Sequence, residues 1–294
     1  MKRLEELVVL IVGLGQIGGS MGLDLVRKRT VARVIGFDRN PRVRRRAVSM
    51  NVVHSSVNTL AQGVREADLL ILAIPIREII SLIPSLTKMV DTRRDTCILD
   101  VAGTKTEIFK ALSKAGGRLN YISGHPITGS EKSGLDSVRP NLLADASFVL
   151  VPHRQCQKRW LTVAKRIVRA LGARPILMTA QQHDRLIALT SGLPHVMALA
   201  LTNLAVKSGK TDGQIRNLIG GSFKSATRVA ASPPDLIVDM LLTNRDQVSP
   251  AIEALIEELS KLKRAIDQSD EALCRALIRR VHARSLNLNR SRGR

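Results

Sequence analysis

The fold is decided near the start of the chain, at residues 7–18, which read LVVLIVGLGQIG. The first six residues are apolar and rich in β-branched side chains, which is typical of a strand buried on both faces of a parallel sheet. The glycines that follow match G-x-G-x-x-G, and helical apolar spacing continues over residues 17–28. A glycine-rich turn between a strand and a helix predicts a Rossmann-type dinucleotide site.

Each residue of this turn has a predicted role in holding a pyrophosphate. Gly13 permits the tight turn, Gly15 lets the backbone approach the phosphates, and Gly18 lets the helix pack closely on the strand. The start of the helix, with Gln16 and Ile17, offers backbone amides and a partial positive charge. A purely structural glycine turn is the alternative.

The adenosine end of the cofactor is predicted at Asp38, which ends the second predicted strand. A carboxylate there accepts hydrogen bonds from the ribose hydroxyls and repels a 2′-phosphate, which favours NAD. The nearby Arg39 and Arg42 are able to neutralise such a phosphate, so NADP stays an alternative. Ala73 and Pro75 follow a later strand and are predicted to line the cofactor cleft, and Thr104 is predicted to bind the cofactor as well.

The rest of the chain divides into an alternating part and a helical part. Six further apolar runs alternate with helical stretches, at residues 34–37, 69–73, 97–99, 121–123, 148–151 and 174–178. Only helical periodicity follows, including a long helix over 180–207 and a charged one over 250–267. This predicts an α/β fold with a Rossmann-like, doubly wound parallel sheet in residues 1–178 and an all-helical substrate and dimerisation domain in 179–294.

Composition excludes several classes of protein. The chain has 294 residues, 44% hydrophobic and 24% charged, which is ordinary for a globular protein. Its three cysteines lie far apart without metal-ligand spacing, so we expect reduced thiols and no metal site. We expect no signal peptide, and no uninterrupted apolar stretch is long enough to span a bilayer. The expected location is the cytoplasm.

The formal charge of +21 raises the question of a nucleic-acid partner. The basic residues form short clusters without a recognition motif, and aromatic residues, which would stack on bases, are only 2% of the chain. We therefore favour solvated surface charge and expect no nucleic-acid partner. A nucleic-acid-binding dinucleotide sensor is the non-enzymatic alternative.

His125 is the candidate catalytic residue. It follows the predicted strand at 121–123 and lies in the segment GHPITGSEKSG at residues 124–134. Its loop leaves the same edge of the sheet as the glycine turn, where a neutral imidazole can accept a proton from a hydroxyl undergoing oxidation. A structural loop histidine is the alternative.

At this point the sequence resembles the prephenate/arogenate dehydrogenase family, which makes the tyrosine precursor. The resemblance spans nearly the whole chain and is carried by residues 13–20, 125–131, 183–184, 193–195, 220–224 and 227–228. It implies that His125 takes the proton of the C4 hydroxyl of prephenate while the C4 hydride passes to the nicotinamide and carbon dioxide leaves. It also implies a homodimer through the helical domain.

The resemblance further implies a set of substrate-binding residues, namely Ser130, Glu131, His183, His195, Lys224 and Arg228. Arg228 offers a guanidinium fork that suits a carboxylate of the anionic substrate. Without the resemblance, the lysine and arginine would be interpreted as exposed surface charges and the two helix histidines as core residues.

The chain departs from the family pattern at two positions. Gly103 stands where the family usually has a serine that orients the catalytic histidine, so Thr104 or water is expected to orient His125. Ile237 stands where the family often has a tryptophan. Arogenate stays an alternative substrate, and a β-hydroxyacid-type dehydrogenase, which would use a lysine on the long helix, is the weaker enzymatic alternative.

Overall fold

The computed structural model describes residues 3–90, 95–116, 118–128, 133–211 and 213–290. The strands are β1 (Val8–Val12), β2 (Arg33–Phe37), β3 (Ser55–Ser56), β4 (Leu69–Leu72), β5 (Cys97–Asp100), β6 (Asn120–Pro126), β7 (Ser147–Pro152) and β8 (Arg174–Leu177). The helices of the first part are α1 (Gln16–Arg27), α2 (Pro41–Ser49), α3 (Leu60–Glu66), α4 (Ile76–Met89), α5 (Thr106–Ala115) and α6 (Lys158–Ala170). Those that follow β8 are α7 (Ala180–Ile187), α8 (Leu193–Thr211), α9 (Gly221–Thr227), α10 (Pro234–Thr243), α11 (Arg245–Asp267) and α12 (Glu271–Arg290).

The eight strands form one sheet in the order β3-β2-β1-β4-β5-β6-β7-β8. Strands β1, β4 and β5 are almost completely buried, and helices cover both faces of the sheet. Helices α1, α2 and α6 pack on one face, and α3, α4 and α5 pack on the other. The predicted class is confirmed: a Rossmann-like, mostly parallel sheet followed by a helical region.

Two details of the sheet differ from the prediction. Strand β3 was missed, because it contains only the serines Ser55 and Ser56 and shows no apolar pattern. Strand β7 pairs with β6 in the antiparallel direction. Among the described residues between β6 and β7, the only regular element is the short 3-10 turn Leu135–Ser137, whereas parallel neighbours need a crossover, usually a helix.

The long helix predicted over 180–207 is interrupted in its hydrogen bonding. Helices α7 and α8 are joined by a π-helical turn, Ala188–Gly192, and Pro194 lies at the start of α8. Proline lacks the N–H of an α-helical hydrogen bond and its ring crowds the preceding turn, so a wider turn immediately before it relieves the conflict.

By length and composition, the run Ala180–Gly209 is apolar enough to cross a membrane, with a mean hydropathy of 1.3 over an 18-residue window. The run passes on length and average composition although polar residues, two histidines and a proline interrupt it, so it is not the uninterrupted apolar stretch considered above. One such helix is weak evidence for a membrane span, since a core helix of a soluble protein passes the same test.

The chain separates into two compact units, residues 1–245 and 246–294. The first contains the sheet, its covering helices and α7 to α10. The second contains α12 and nearly all of α11, which begins five residues before Pro250, the expected start. The functional division between residues 178 and 179 stays a prediction.

Candidate active site

The turn between β1 and α1 has the geometry of a phosphate cradle. Gly13 has φ +91°, and a Cβ added there would lie 2.4 Å from the carbonyl oxygen of Ala73. A Cβ added at Gly18 would lie 2.1 Å from the carbonyl oxygen of Gly13, so both positions require glycine. At Gly15 an added Cβ would have no atom within 4 Å, and no side chain caps α1. The backbone N–H groups of the first turn and the positive end of α1 suit the pyrophosphate of a dinucleotide.

Asp38 is held beside this turn by backbone N–H groups. Leu14 donates to Oδ2 at 3.1 Å, and Asn40 donates to Oδ1 at 2.9 Å. The guanidinium of Arg39 lies 3.3 Å from the carboxylate of Glu78, in an exposed ion pair. The carboxylate of Asp38 is therefore fixed at the end of β2 beside the glycine turn, and Arg39 already has an acidic partner.

The sheet places the glycine turn and His125 at one edge. The pairing register aligns four strand residues in one row: Val12 of β1, Leu72 of β4, Asp100 of β5 and Ser123 of β6. Gln16 and Ile17 open α1 beyond this row, Ala73 and Pro75 follow β4, and His125 lies two residues past the row on β6. Since neighbouring strands are about 4.8 Å apart, β1 and β6 are separated by about 14 Å. The glycine turn and His125 therefore lie along the same edge of the sheet, three strand spacings apart.

His125 begins a chain of three hydrogen-bonded side chains. Its Nδ1 lies 2.9 Å from Nε2 of His183, and the two rings meet edge to face with centroids 5.1 Å apart. The other ring nitrogen of His183 lies 2.8 Å from Oδ1 of Asp184. His183 and Asp184 are buried, whereas part of His125 is accessible. Within the described part of the chain, Nε2 of His125 has no hydrogen-bond partner.

The carboxylate of Asp184 also caps helix α5 from a distant part of the chain. The backbone N–H of Lys105 donates to it at 3.0 Å, and that of Thr106 donates at 2.8 Å. Burial by itself raises the pKa of Asp184, but the hydrogen bonds from His183 and Thr106 outweigh burial and lower the pKa. Asp184 is therefore ionised at neutral pH and accepts hydrogen bonds on both oxygens.

These contacts determine which nitrogen of His125 carries the proton. Because ionised Asp184 only accepts, Nδ1 of His183 must donate to it. Burial lowers the pKa of His183, so its ring is neutral and its Nε2 accepts a hydrogen bond from Nδ1 of His125. Burial, followed by the charge of Lys105, lowers the pKa of His125 well below its usual range. Nε2 of His125 is thus an unprotonated base.

The structure revises the expected partner of His125. Thr104 is buried, and its hydroxyl lies 2.7 Å from the hydroxyl of Thr243 instead of contacting His125. His183 takes the orienting position, and with both ring nitrogens engaged it has none left for a substrate. A Cβ added at Gly103 would have no atom within 4 Å, so a serine side chain fits there.

Helix α10 is tied to the sheet by further polar contacts. Besides the threonine pair, Oδ1 of Asp239 lies 2.7 Å from Nε of Arg77, in the first turn of α4. Asn244, which directly follows α10, donates from Nδ2 to the backbone carbonyl of Asp184 at 2.8 Å. Ile237 is buried on this helix. These contacts hold α10 against the elements that carry the hydrogen-bonded chain.

The other predicted substrate residues lie on helices after β8. Nδ1 of His195 on α8 donates to the carbonyl of Ser191 at 2.8 Å, which leaves its Nε2 as an acceptor. Lys224 on α9 and Arg228, immediately after α9, are exposed, and both segments pack against α8. Both cations therefore lie at the surface of this helical region.

Two predicted substrate residues, Ser130 and Glu131, lie outside the described residues. Sequence reasoning gave no role to Asp184, Thr243 or Asn244. The position of Asp184 next to a histidine was a usable signal, because a carboxylate commonly fixes an imidazole tautomer. Nothing in the sequence pointed to the other two residues.

Comparison with known proteins places this site in a family. Residues 21–177 match the model of the prephenate dehydrogenase nucleotide-binding domain, and residues 179–279 match that of the prephenate dehydrogenase dimerization domain. Cyclohexadienyl dehydrogenase of Zymomonas mobilis is 32% identical over 269 residues, which are 89% of this chain and 89% of that protein.

Solved structures agree with these matches. Prephenate dehydrogenase from A. aeolicus, crystallised with hydroxyphenyl propionate and NAD+, superposes with a TM-score of 0.89 at 28% identity, covering 98% of this chain and 100% of that chain. Synechocystis arogenate dehydrogenase superposes with a TM-score of 0.82 at 25% identity, covering 96% and 99%. The chain, with its dinucleotide cradle and its unprotonated histidine at one sheet edge, belongs to the prephenate dehydrogenase family of nicotinamide-dependent oxidoreductases.

Proposed function

We propose that this protein is a prephenate dehydrogenase that uses NAD in tyrosine biosynthesis. The reaction is the oxidative decarboxylation of prephenate to 4-hydroxyphenylpyruvate. The observation that carries the proposal is the unprotonated Nε2 of His125, fixed through Nδ1 by His183 and Asp184 at the sheet edge that also carries the glycine turn.

The chain supplies a base and an orientation for this reaction. Nε2 of His125 accepts the proton of the C4 hydroxyl as the hydride leaves C4, and the ring carboxylate departs as carbon dioxide. The ring becomes aromatic, and its oxygen takes the proton back from His125, so that no net proton is released. The bound nicotinamide supplies the hydride acceptor. The imidazolium formed in between is stabilised through His183 by the negative charge of Asp184.

Arogenate is the alternative substrate, because it differs from prephenate only in carrying an amino group where prephenate has the side-chain keto oxygen. The relatives named cyclohexadienyl dehydrogenase and arogenate dehydrogenase support arogenate as an alternative substrate. Nε2 of His195 is an acceptor and would favour an amino group, whereas the exposed Lys224 and Arg228 would favour the more anionic prephenate.

Steady-state kinetics with prephenate and arogenate, each against NAD and NADP, test this proposal. We expect the highest kcat/KM for prephenate with NAD, together with formation of 4-hydroxyphenylpyruvate and carbon dioxide. A higher kcat/KM with arogenate would assign arogenate as the substrate, and a higher kcat/KM with NADP would assign NADP as the cofactor. No turnover of either substrate with either cofactor would overturn the proposal.

Replacing Arg228 with alanine should raise the KM for prephenate by about 10- to 100-fold, because a charge-assisted hydrogen bond contributes about 1.5–3 kcal/mol. The kcat should change much less, because the guanidinium binds a carboxylate, whereas the proton and the hydride are transferred at the C4 oxygen and C4. Arg65→Ala, at an exposed arginine on α3, is the control. An unchanged KM in Arg228→Ala would show that Arg228 does not bind a carboxylate of prephenate.

We also propose a homodimer formed through the helical region. The matched dimerization-domain model supports it, and so do large exposed apolar side chains such as Leu204, Leu218 and Leu236. A soluble monomer rarely leaves so many apolar side chains in water. Sedimentation at micromolar concentration should give a dimer, and a monomer would contradict this proposal. A cytoplasmic location without a nucleic-acid or membrane partner stays a prediction.

A further inference from the structure

Lys105 is a fully buried lysine directly before α5, on the loop that follows β5. Its Nζ donates to the carbonyl oxygen of Ala102 at 2.7 Å and, in a very short contact, to that of Gly124. Nζ also lies 3.5 Å from Oδ1 of Asp100, which is equally buried. All three N–H groups of an ammonium therefore find oxygen partners.

A lysine is almost never fully buried unless it is paired, because removal of an ammonium from water is costly. A methionine of similar size would fill the same space without that cost. Hydrogen bonds to the two carbonyls and the ion pair with Asp100 offset the loss of hydration, but they do not explain why a charge is present at all. The neighbours of the ammonium suggest the reason.

The contact with Gly124 ties the ammonium to the base, because Gly124 immediately precedes His125 on β6. The backbone N–H of the same lysine donates to Asp184, the last member of the hydrogen-bonded chain. Lys105 therefore joins both ends of the His125–His183–Asp184 chain through its side chain and its backbone.

We propose that Lys105 is a positioning residue for His125. Its ammonium fixes the carbonyl that precedes His125 and places a positive charge beside the imidazole, which opposes protonation of the base. This inference rests on the proposed role of His125, but its first test needs no substrate.

The electrostatic part of the proposal has a definite sign. Burial is the largest cause of the lowered pKa of His125, and the charge of Lys105 comes next, before that of His183. The charged groups nearby are Asp100 at the end of β5 and Asp184 on α7, whose negative charges partly offset the ammonium. Burial lowers the pKa of Lys105, while these two carboxylates raise it and so support the charged form.

Titration of His125 by NMR tests the proposal, with His125→Asn used to assign its signals. In Lys105→Met the pKa of His125 should rise toward its ordinary value, because a nearby positive charge has been removed. Lys105→Gln, which keeps a hydrogen-bond donor but no charge, should raise the pKa as well. Lys110→Met, at an exposed lysine on α5, is the matched control and should leave the pKa unchanged.

The kinetic readout follows from the same sign. Activity requires unprotonated His125, so kcat/KM falls as the pH drops through the pKa of His125. In Lys105→Met this decline should begin at a higher pH, and the pH-independent kcat/KM should fall by about 10- to 100-fold as the base is displaced. Loss of packing alone would reduce the rate without moving the pH profile.

Three results would overturn the inference. One is a folded Lys105→Met or Lys105→Gln variant whose His125 titrates as in the unaltered protein. Another is a shift of equal size in Lys110→Met. The third needs no variant: lysine side-chain NMR of the unaltered protein should show Lys105 as an ammonium throughout the titration of His125, and a neutral amine there would contradict the proposal. If His125 shifts as expected but neither substrate turns over, the proposed function fails and the inference stands.

Discussion

Replacement of His125 with asparagine is expected to lower kcat by about two to four orders of magnitude, the usual range for loss of a general base. Asparagine has no basic nitrogen to take the place of Nε2, so the C4 hydroxyl would lose its proton acceptor. The dissociation constant for NAD should stay nearly unchanged, because the glycine turn and Asp38 are not altered. Steady-state absorbance of the reduced nicotinamide measures kcat, and titration calorimetry measures the dissociation constant for NAD.

His195→Asn is the matched control for this substitution. His195 donates to the carbonyl of Ser191 and is not part of the chain that includes His183 and Asp184. It should therefore affect the KM for substrate more than kcat. A His125→Asn variant with near-normal turnover would remove His125 from its role as the base.

Replacement of Asp184 with asparagine is the second substitution with a large expected effect. The amide is neutral, so it cannot stabilise the imidazolium formed when His125 takes a proton. Its NH₂ group can also donate to His183, which would reverse the tautomers along the chain and place a proton on Nε2 of His125. We expect kcat to fall by about two to three orders of magnitude.

The same substitution should lower the free energy of unfolding. An amide has one accepting oxygen, whereas the carboxylate accepts from the N–H groups of Lys105 and Thr106 and from His183. Leaving a buried N–H group without its partner costs about 1–3 kcal/mol. Chemical denaturation measures this loss of free energy. It also shows which variants are folded, so that kcat is compared only among folded proteins.

Asn244→Ala separates these two effects. It removes a hydrogen bond to the backbone carbonyl of Asp184 but leaves the carboxylate and both histidines in place. We expect a comparable loss of stability with a much smaller loss of turnover. Equal losses of turnover in Asp184→Asn and Asn244→Ala would indicate that Asp184 only supports the fold.

The fold was largely predictable from local patterns. An apolar strand, a G-x-G-x-x-G turn and a helix at the start of the chain indicated a Rossmann-like sheet, because each feature depends on neighbouring residues. The direction of β7 was not predictable in this way, since strand direction depends on the path of the connection through residues 127–146. Strand β3 has only two polar residues and left no pattern to recognise.

The sequence drew attention to His125 and His183 but not to the arrangement that joins them. The hydrogen bond between the two histidines connects residues 58 positions apart, and Asp184 had no predicted role. Thr104 was expected to orient His125, but its hydroxyl meets Thr243, which is 139 residues away. Such pairings depend on how α7 and α10 pack against the sheet, and sequence patterns contain no information on that packing.

The central claim is that Nε2 of His125 is the free base facing the hydride donor carbon of the substrate. A crystal structure of the protein with NAD and a stable analogue of the substrate or product tests it most directly. The account predicts Nε2 within about 3 Å of the C4 oxygen of the analogue, with Nδ1 still bonded to His183. In a closed complex, a His125 imidazole turned away from that oxygen would contradict the account. So would a hydrogen bond to that oxygen from His183 instead of His125.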